Sequence, residues 1–106
     1  MHLNRYFVAK NLCKDKVVLD AACGEGYGTY LLSKWGAKKA VGVDISEAAV
    51  AHAQEVFGGE KLEFLCNTVE KLAMFPSNSF DMVVSFETIE HIQDPIAFLK
   101  EIKRIV

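Results

Sequence analysis

An α/β sandwich built on a parallel sheet is the fold this sequence predicts, and three observations predict it. Short continuous apolar runs, of the kind that suit strands buried on both faces, recur along the chain. Between them lie stretches with helical spacing of apolar residues, and the two kinds of segment take strict turns. That alternation calls for parallel strands joined by right-handed crossovers. Glycines, a proline and capping residues mark the switches, so the elements have stops as well as starts.

In chain order, residues around Leu3 to Leu12 read as a short helix, with Leu3, Tyr6 and Phe7 facing inward. Val17-Val18-Leu19-Asp20-Ala21 is the first strand, and it ends at a glycine-rich loop. From Tyr27 the period turns helical, with Tyr27, Leu31, Leu32 and Trp35 on one face and Gly36 as the stop. Ala40-Val41-Gly42-Val43-Asp44 is the second strand. Ser46 then caps a helix carrying Ala49, Val50, Ala53 and Phe57 on one stripe, and Gly58-Gly59 ends it. Leu62 to Cys66 is the third strand, followed by one helical turn near Val69 to Met74. Phe80 to Phe86 is the fourth strand. Asp94-Pro95 opens the last helix with a cap and a proline at its first position, and its stripe is Phe98, Leu99, Ile102, Ile105 and Val106.

With 106 residues the chain is one domain at most, and no repeat or low-complexity linker divides it. The net charge of −2 supplies no field that would draw nucleic acid or an anionic membrane, so no nucleic-acid partner is expected. No apolar run approaches membrane-spanning length and the N-terminus lacks a signal-peptide core. Cys13, Cys23 and Cys66 are odd in number and show no C-x-x-C spacing, which supports neither a disulfide framework nor a zinc site. A cytoplasmic location is the expectation.

In open α/β sheets ligands bind beyond the C-terminal strand ends, and the informative residues fall there. Asp20-Ala21-Ala22-Cys23-Gly24-Glu25-Gly26-Tyr27-Gly28 joins the first strand to a helix. Gly24 and Gly26 let the backbone turn tightly and approach a ligand, and the helix that follows presents N–H groups. A dinucleotide fingerprint would need its third glycine at position 29, where Thr29 stands. Asp20 would repel a pyrophosphate but would favour a ligand carrying an ammonium and a sulfonium. Asp44, at the end of the second strand, can accept hydrogen bonds from both hydroxyls of an adenosine ribose; the alternative is a charge at a helix start before Ser46. Cys23 reads as a small buried packing residue rather than a nucleophile, and His52 as part of a solvated helix face.

The segment Val18 to Gly28 resembles the first motif of class I S-adenosylmethionine-dependent methyltransferases. Val41-Gly42-Val43-Asp44-Ile45-Ser46 resembles the next. Asn78 to Ser85 and Glu90-His91-Ile92-Gln93-Asp94-Pro95 are similar to the fourth-strand motif and its continuation, and His2 to Ala9 to the helix before the first motif in one subgroup. The likeness spans essentially the whole chain. It implies a Rossmann-like three-layer sandwich with strand order 3-2-1-4, lacking the later strands of the full fold, with S-adenosylmethionine as cofactor. It also implies that Asp20 and the backbone of Ala22, Cys23, Gly24 and Gly26 hold the methionine moiety. Asp44 would take the ribose hydroxyls, Ile45 one face of the adenine, and Thr68, Val69 and Ser85 the remaining cofactor contacts. An acidic side chain is usual where Thr68 stands, with Glu70 two residues on; this is a departure from the family pattern.

Methyl transfer asks the protein to align a nucleophile and exclude water, and a general base helps only if the acceptor arrives protonated. His91 and Glu87 follow the fourth strand and are the groups within reach, although the preferred role for His91 is to fix the loop before Asp94. No catalytic residue is assigned. A small-molecule acceptor is the resemblance-level expectation. A module that binds S-adenosylmethionine or S-adenosylhomocysteine without transfer, or half of a nicotinamide-dependent oxidoreductase, are the alternatives. Apolar residues are still arriving on schedule at Arg104-Ile105-Val106, so a longer parent chain is expected. Without a fifth strand, self-association through the Met82-Val83-Val84 edge is expected too.

Overall fold

The computed structural model describes residues 12–85 and 93–106. The helix expected over Leu3 to Leu12, the end of the fourth strand at Phe86, and Glu87 and His91 therefore fall wholly or mostly outside the described residues. The elements run β1 (Val17–Ala21), α1 (Tyr27–Lys34), β2 (Lys39–Asp44), α2 (Glu47–Phe57), β3 (Leu62–Cys66), β4 (Met82–Val84) and α3 (Pro95–Ile105). The sheet is parallel and ordered β3-β2-β1-β4, the predicted order. Among the described residues no helix is long and apolar enough to cross a membrane.

Because side chains alternate along a strand, each strand feeds two cores. Val18, Ala40, Leu62, Phe64 and Val84 face α1 and α2, where they meet Leu32, Val50 and Ala53. Leu19, Ala21, Val41 and Val43 face the other way, onto Phe98 and Ile105 of α3 and onto Val69, Leu72 and Phe80 of the β3–β4 connection. The sheet is thus the middle of three layers, as predicted. Ser46 caps α2 by accepting from the Ala49 amide at 3.2 Å, and Asp94 caps α3 by accepting from the Ala97 amide at 3.0 Å. Gly36, at φ 99°, lies just past the end of α1.

Four details differ from the sequence reading. Gly28, Thr29 and Leu32 form the buried face of α1, while Tyr27 is half exposed and meets the ring of Phe57 edge-on at 5.2 Å. The packing of Gly26 against α2 and β3, described below, sets that rotation. The segment 69–74 forms turns instead of a helical turn, because both main-chain groups of Leu72 are taken by side chains of α3. In α3 the buried residues are Phe98 and Ile105, and Leu99 and Val106 of the expected stripe are exposed. Lastly, β4 begins at Met82: the Phe80 amide donates to Ile105 O of α3 and the Asp81 amide to Val17 O. Phe80 is core, held edge-on to Phe75 at 4.9 Å. Within the described residues β4 spans Met82–Val84.

Candidate functional site

The predicted residues converge on the C-terminal ends of β1, β2 and β3. The loop after β1 is built from left-handed backbone: Ala22 has φ 62°, Gly24 58° and Gly26 92°. Ala22 adopts this at a steric cost of roughly 1–2 kcal/mol, which glycine escapes. A Cβ on Gly26 would come within 2.8 Å of both the Ala53 Cβ and the Phe64 ring, so the loop presses onto α2 and β3 there. A Cβ on Gly24 would meet nothing within 4 Å. One glycine therefore closes the loop onto the core, and the other leaves its outer side open. Gly26 is also the N-cap of α1, with no side-chain cap on the helix's first amides.

Two main-chain donors of this loop reach β2. The Cys23 amide donates to Val43 O at 2.9 Å, and the Gly24 amide to Asp44 Oδ2 at 2.8 Å. The other Asp44 oxygen accepts from the Ser46 amide at 2.9 Å. Asp44 thus joins the glycine loop to the start of α2 and remains half-buried, with acceptor lone pairs left over on both oxygens. Beside it Ile45 is 75% exposed, a large apolar side chain standing open at the strand end. The next strand end is tied in by the Asn67 amide, which donates to Asp44 O at 3.0 Å.

Asp20 is wholly buried, and its Oδ2 accepts from the Thr29 hydroxyl at 2.8 Å. Through that bond it anchors α1 to β1. The role of Thr29 escaped the sequence reading, which noted only that no glycine stood there. The signal was a hydroxyl-bearing residue in the first turn of a helix that starts from a strand ending in a carboxylate. Cys23 is buried, and desolvation together with the neighbouring Asp20 and Asp44 charges pushes its thiol far up, so it is an inert packing residue. His52 lies on the exposed face of α2.

After β3, the Thr68 amide donates to its neighbour Asn67 Oδ1 at 2.7 Å, and Thr68 O accepts from the Lys71 amide at 3.3 Å. Its backbone is thus engaged locally, while the side chain is half-buried and hydrogen-bonded to Glu70. Val69 is buried in the α3-side core, so its side chain is packing. Ser85 directly follows β4 and is half-buried. The segment is fastened from α3: Glu101 Oε2 accepts from the Leu72 amide at 2.8 Å, and Arg104 donates to Leu72 O at 2.8 Å and Phe75 O at 2.7 Å. Arg104 also pairs with Glu101 at 3.1 Å. The bonds from Glu101 and Arg104 to Leu72 and Phe75 were not foreseen, because they join residues 29 to 32 positions apart.

A strand-end edge with an open glycine loop, a fixed carboxylate on the next strand and an exposed apolar residue beside it suits a nucleoside-containing ligand. Comparison with known proteins agrees with that geometry. Residues 19–106 match the family model described as a methyltransferase domain, and the chain belongs to that family. It is similar to a probable S-adenosylmethionine-dependent methyltransferase of Mycobacterium tuberculosis, 36% identical over 94 residues, covering 89% of this chain and 33% of that protein. The ubiquinone biosynthesis O-methyltransferase of Idiomarina loihiensis is 36% identical over 87 residues, covering 80% of this chain and 35% of the relative. Among solved structures, the PH0226 protein of Pyrococcus horikoshii superposes with a TM-score of 0.81 at 33% identity, over 96% of this chain and 49% of that one. The chain spans about a third of the length of the curated relatives it matches. The family's cofactor, as the relatives' names give it, is S-adenosylmethionine.

Proposed function

We propose that this chain is the cofactor-binding portion of an S-adenosylmethionine-dependent methyltransferase acting on a small-molecule acceptor. The observation that carries the proposal is the Asp44 carboxylate, fixed by the Gly24 and Ser46 amides at the meeting point of the glycine loop and β2. S-adenosylmethionine supplies a methyl group on a positively charged sulfur, with S-adenosylhomocysteine as the leaving group. In this reading Asp44 accepts the ribose hydroxyls through its remaining lone pairs. Ile45 covers one face of the adenine, and Thr68, Val69 and Ser85 line the neighbouring strand ends. The open side of Gly24, with Ala22, Cys23 and Gly26, receives the methionine moiety. Asp20, buried behind the loop, contributes negative potential toward a cationic ligand.

The name of the Idiomarina relative, an O-methyltransferase of ubiquinone biosynthesis, supports a small-molecule acceptor. The odd cysteine count supports the cytoplasm as location. Isothermal titration tests the ligand: S-adenosylhomocysteine and S-adenosylmethionine are expected to bind and NAD is not. Preference for NAD over both adenosyl ligands would overturn the assignment and favour a nicotinamide-dependent oxidoreductase.

A further inference from the structure

We propose that Gln54 stands in for a neighbouring strand: it closes the outer edge of β3 and keeps that edge from pairing with β3 of a second copy. β3 ends the sheet on one side, and Leu62 to Cys66 contains neither proline nor lysine, two common protections of an exposed edge. The register shows which main-chain groups are at stake. Lys61 O accepts from the Ala40 amide and the Asn67 amide donates to Asp44 O, so the odd positions turn their main chain toward β2. The even positions Leu62, Phe64 and Cys66 then turn theirs outward. Two of these three are answered from within the chain. Leu62 exchanges both of its main-chain bonds with Gly59, at 2.9 and 3.3 Å. The Phe64 amide donates to Gln54 Oε1 at 3.1 Å.

The end of α2 is shaped for this reach. A backbone N–H only donates, so the Gln54 side chain must turn its oxygen, not its NH2, to Phe64. Gln54 lies in the last turn of α2, and Gly58 is the residue that ends the helix. A Cβ on Gly58 would collide with Gln54 Nε2 and Gln54 O, so glycine keeps open the path by which the side chain crosses to β3. Backbone freedom is not what this glycine supplies, since its φ of −59° is open to any residue. Phe64 is the middle one of the three outward positions. A second copy related by a two-fold axis would pair antiparallel about it and would need the amide that Gln54 holds.

Cys66 makes the test specific to this edge, because it is exposed while Cys13 and Cys23 are buried. A nitroxide on Cys66 allows pulsed electron paramagnetic resonance to read the distance between copies, alongside sedimentation equilibrium for their association. Gln54→Ala removes the acceptor without adding apolar surface. It is expected to tighten self-association ~10-fold or more, since a two-fold pair of wild-type copies must displace two such bonds. Antiparallel pairing about Phe64 should also bring the labels within about 20 Å of each other. Gln54→Glu keeps an acceptor for the Phe64 amide and should behave as the wild type does. Pairing through the β4 edge would instead hold the labels about 33 Å apart, seven strand spacings. A purely structural Gln54 would lower the melting temperature on substitution without producing the short distance. A Gln54→Ala protein that associates no more tightly than wild type, or that associates without the short distance, overturns the inference. So does a wild type that already shows it.

Discussion

The loop between β1 and α1 takes its shape from its own residues, whereas the segment between β3 and β4 takes its shape from α3. In the first, left-handed residues at Ala22, Gly24 and Gly26 set the path, and hydrogen bonds to Val43 and Asp44 of the adjacent strand hold it. In the second, Glu101 reaches back 29 positions to the Leu72 amide, and Arg104 reaches 32 and 29 positions to the carbonyls of Leu72 and Phe75. Both flank the same strand-end edge. A local motif can thus be recognised in a short stretch of chain, while a stapled segment exists only once the distant helix has docked.

The largest expected effect breaks the comparison inside the glycine loop itself. Gly26→Ala forces a Cβ to 2.8 Å from Ala53 and Phe64 at φ 92°. Strain and overpacking together should cost about 2–5 kcal/mol of stability. Gly24→Ala, in open space, should cost about 1–2 kcal/mol from backbone strain alone, yet it should impair S-adenosylhomocysteine binding. Urea unfolding paired with titration separates the two, and equal stability losses would mean that Gly26 is not the packing glycine.

Next comes the staple. Arg104→Ala removes charged hydrogen bonds to two carbonyls and leaves Glu101 without its partner, for a loss of about 1.5–3 kcal/mol. Amide exchange sharpens the contrast: protection of Leu72 should fall well below that of Cys23, because the second loop opens independently of the first. A uniform fall at both amides would show that the two segments unfold as one unit.

For ligand affinity, Asp44→Ala should outweigh Glu25→Ala. The first removes an acceptor of charged hydrogen bonds worth ~1.5–3 kcal/mol each before non-additivity, and it also releases the Gly24 and Ser46 amides. Glu25 is exposed, and its substitution should stay within about 0.5 kcal/mol. Equal affinities would reduce Asp44 to a helix-start charge.

The smallest effect is in pH. Hydrogen bonds from Arg104 and from the Leu72 amide hold the Glu101 carboxyl below its ordinary 4.5. A folded-state value below the unfolded one means that its contribution is present above pH 4.5 and is lost as pH falls through the lowered value. Glu101→Gln should therefore flatten the acid limb of the stability profile and leave neutral pH less affected than Arg104→Ala does. An unchanged acid limb would show that the pair contributes nothing to acid stability.

What the sequence made legible follows the same division. The bounds of β1 and β3, the Ser46 and Asp94 caps, the strand order and the position of Asp44 were all readable from neighbours in the chain or from the family pattern. The turns over 69–74 were not, since apolar residues at Val69 and Leu72 fit a helical turn until Glu101 and Arg104 claim both main-chain groups of Leu72. The buried face of α1 was misjudged because Tyr27 looks like a core residue, whereas the Gly26 contacts with Ala53 and Phe64 rotate the helix to bury Gly28 and Thr29. Hydrophobic periodicity gives the existence of a face, and close backbone contacts decide which residues lie on it.

The double hold on Asp44 also bears on how a ligand would arrive. A flexible acceptor side chain surrenders rotamer freedom at the moment of binding, a loss of about 0.5–1.5 kcal/mol for each side chain immobilised. With one oxygen on the Gly24 amide and the other on the Ser46 amide, Asp44 has surrendered that freedom while the chain folds. A ligand using its remaining lone pairs meets an acceptor whose direction is already set, and bound and empty protein should share one Asp44 rotamer.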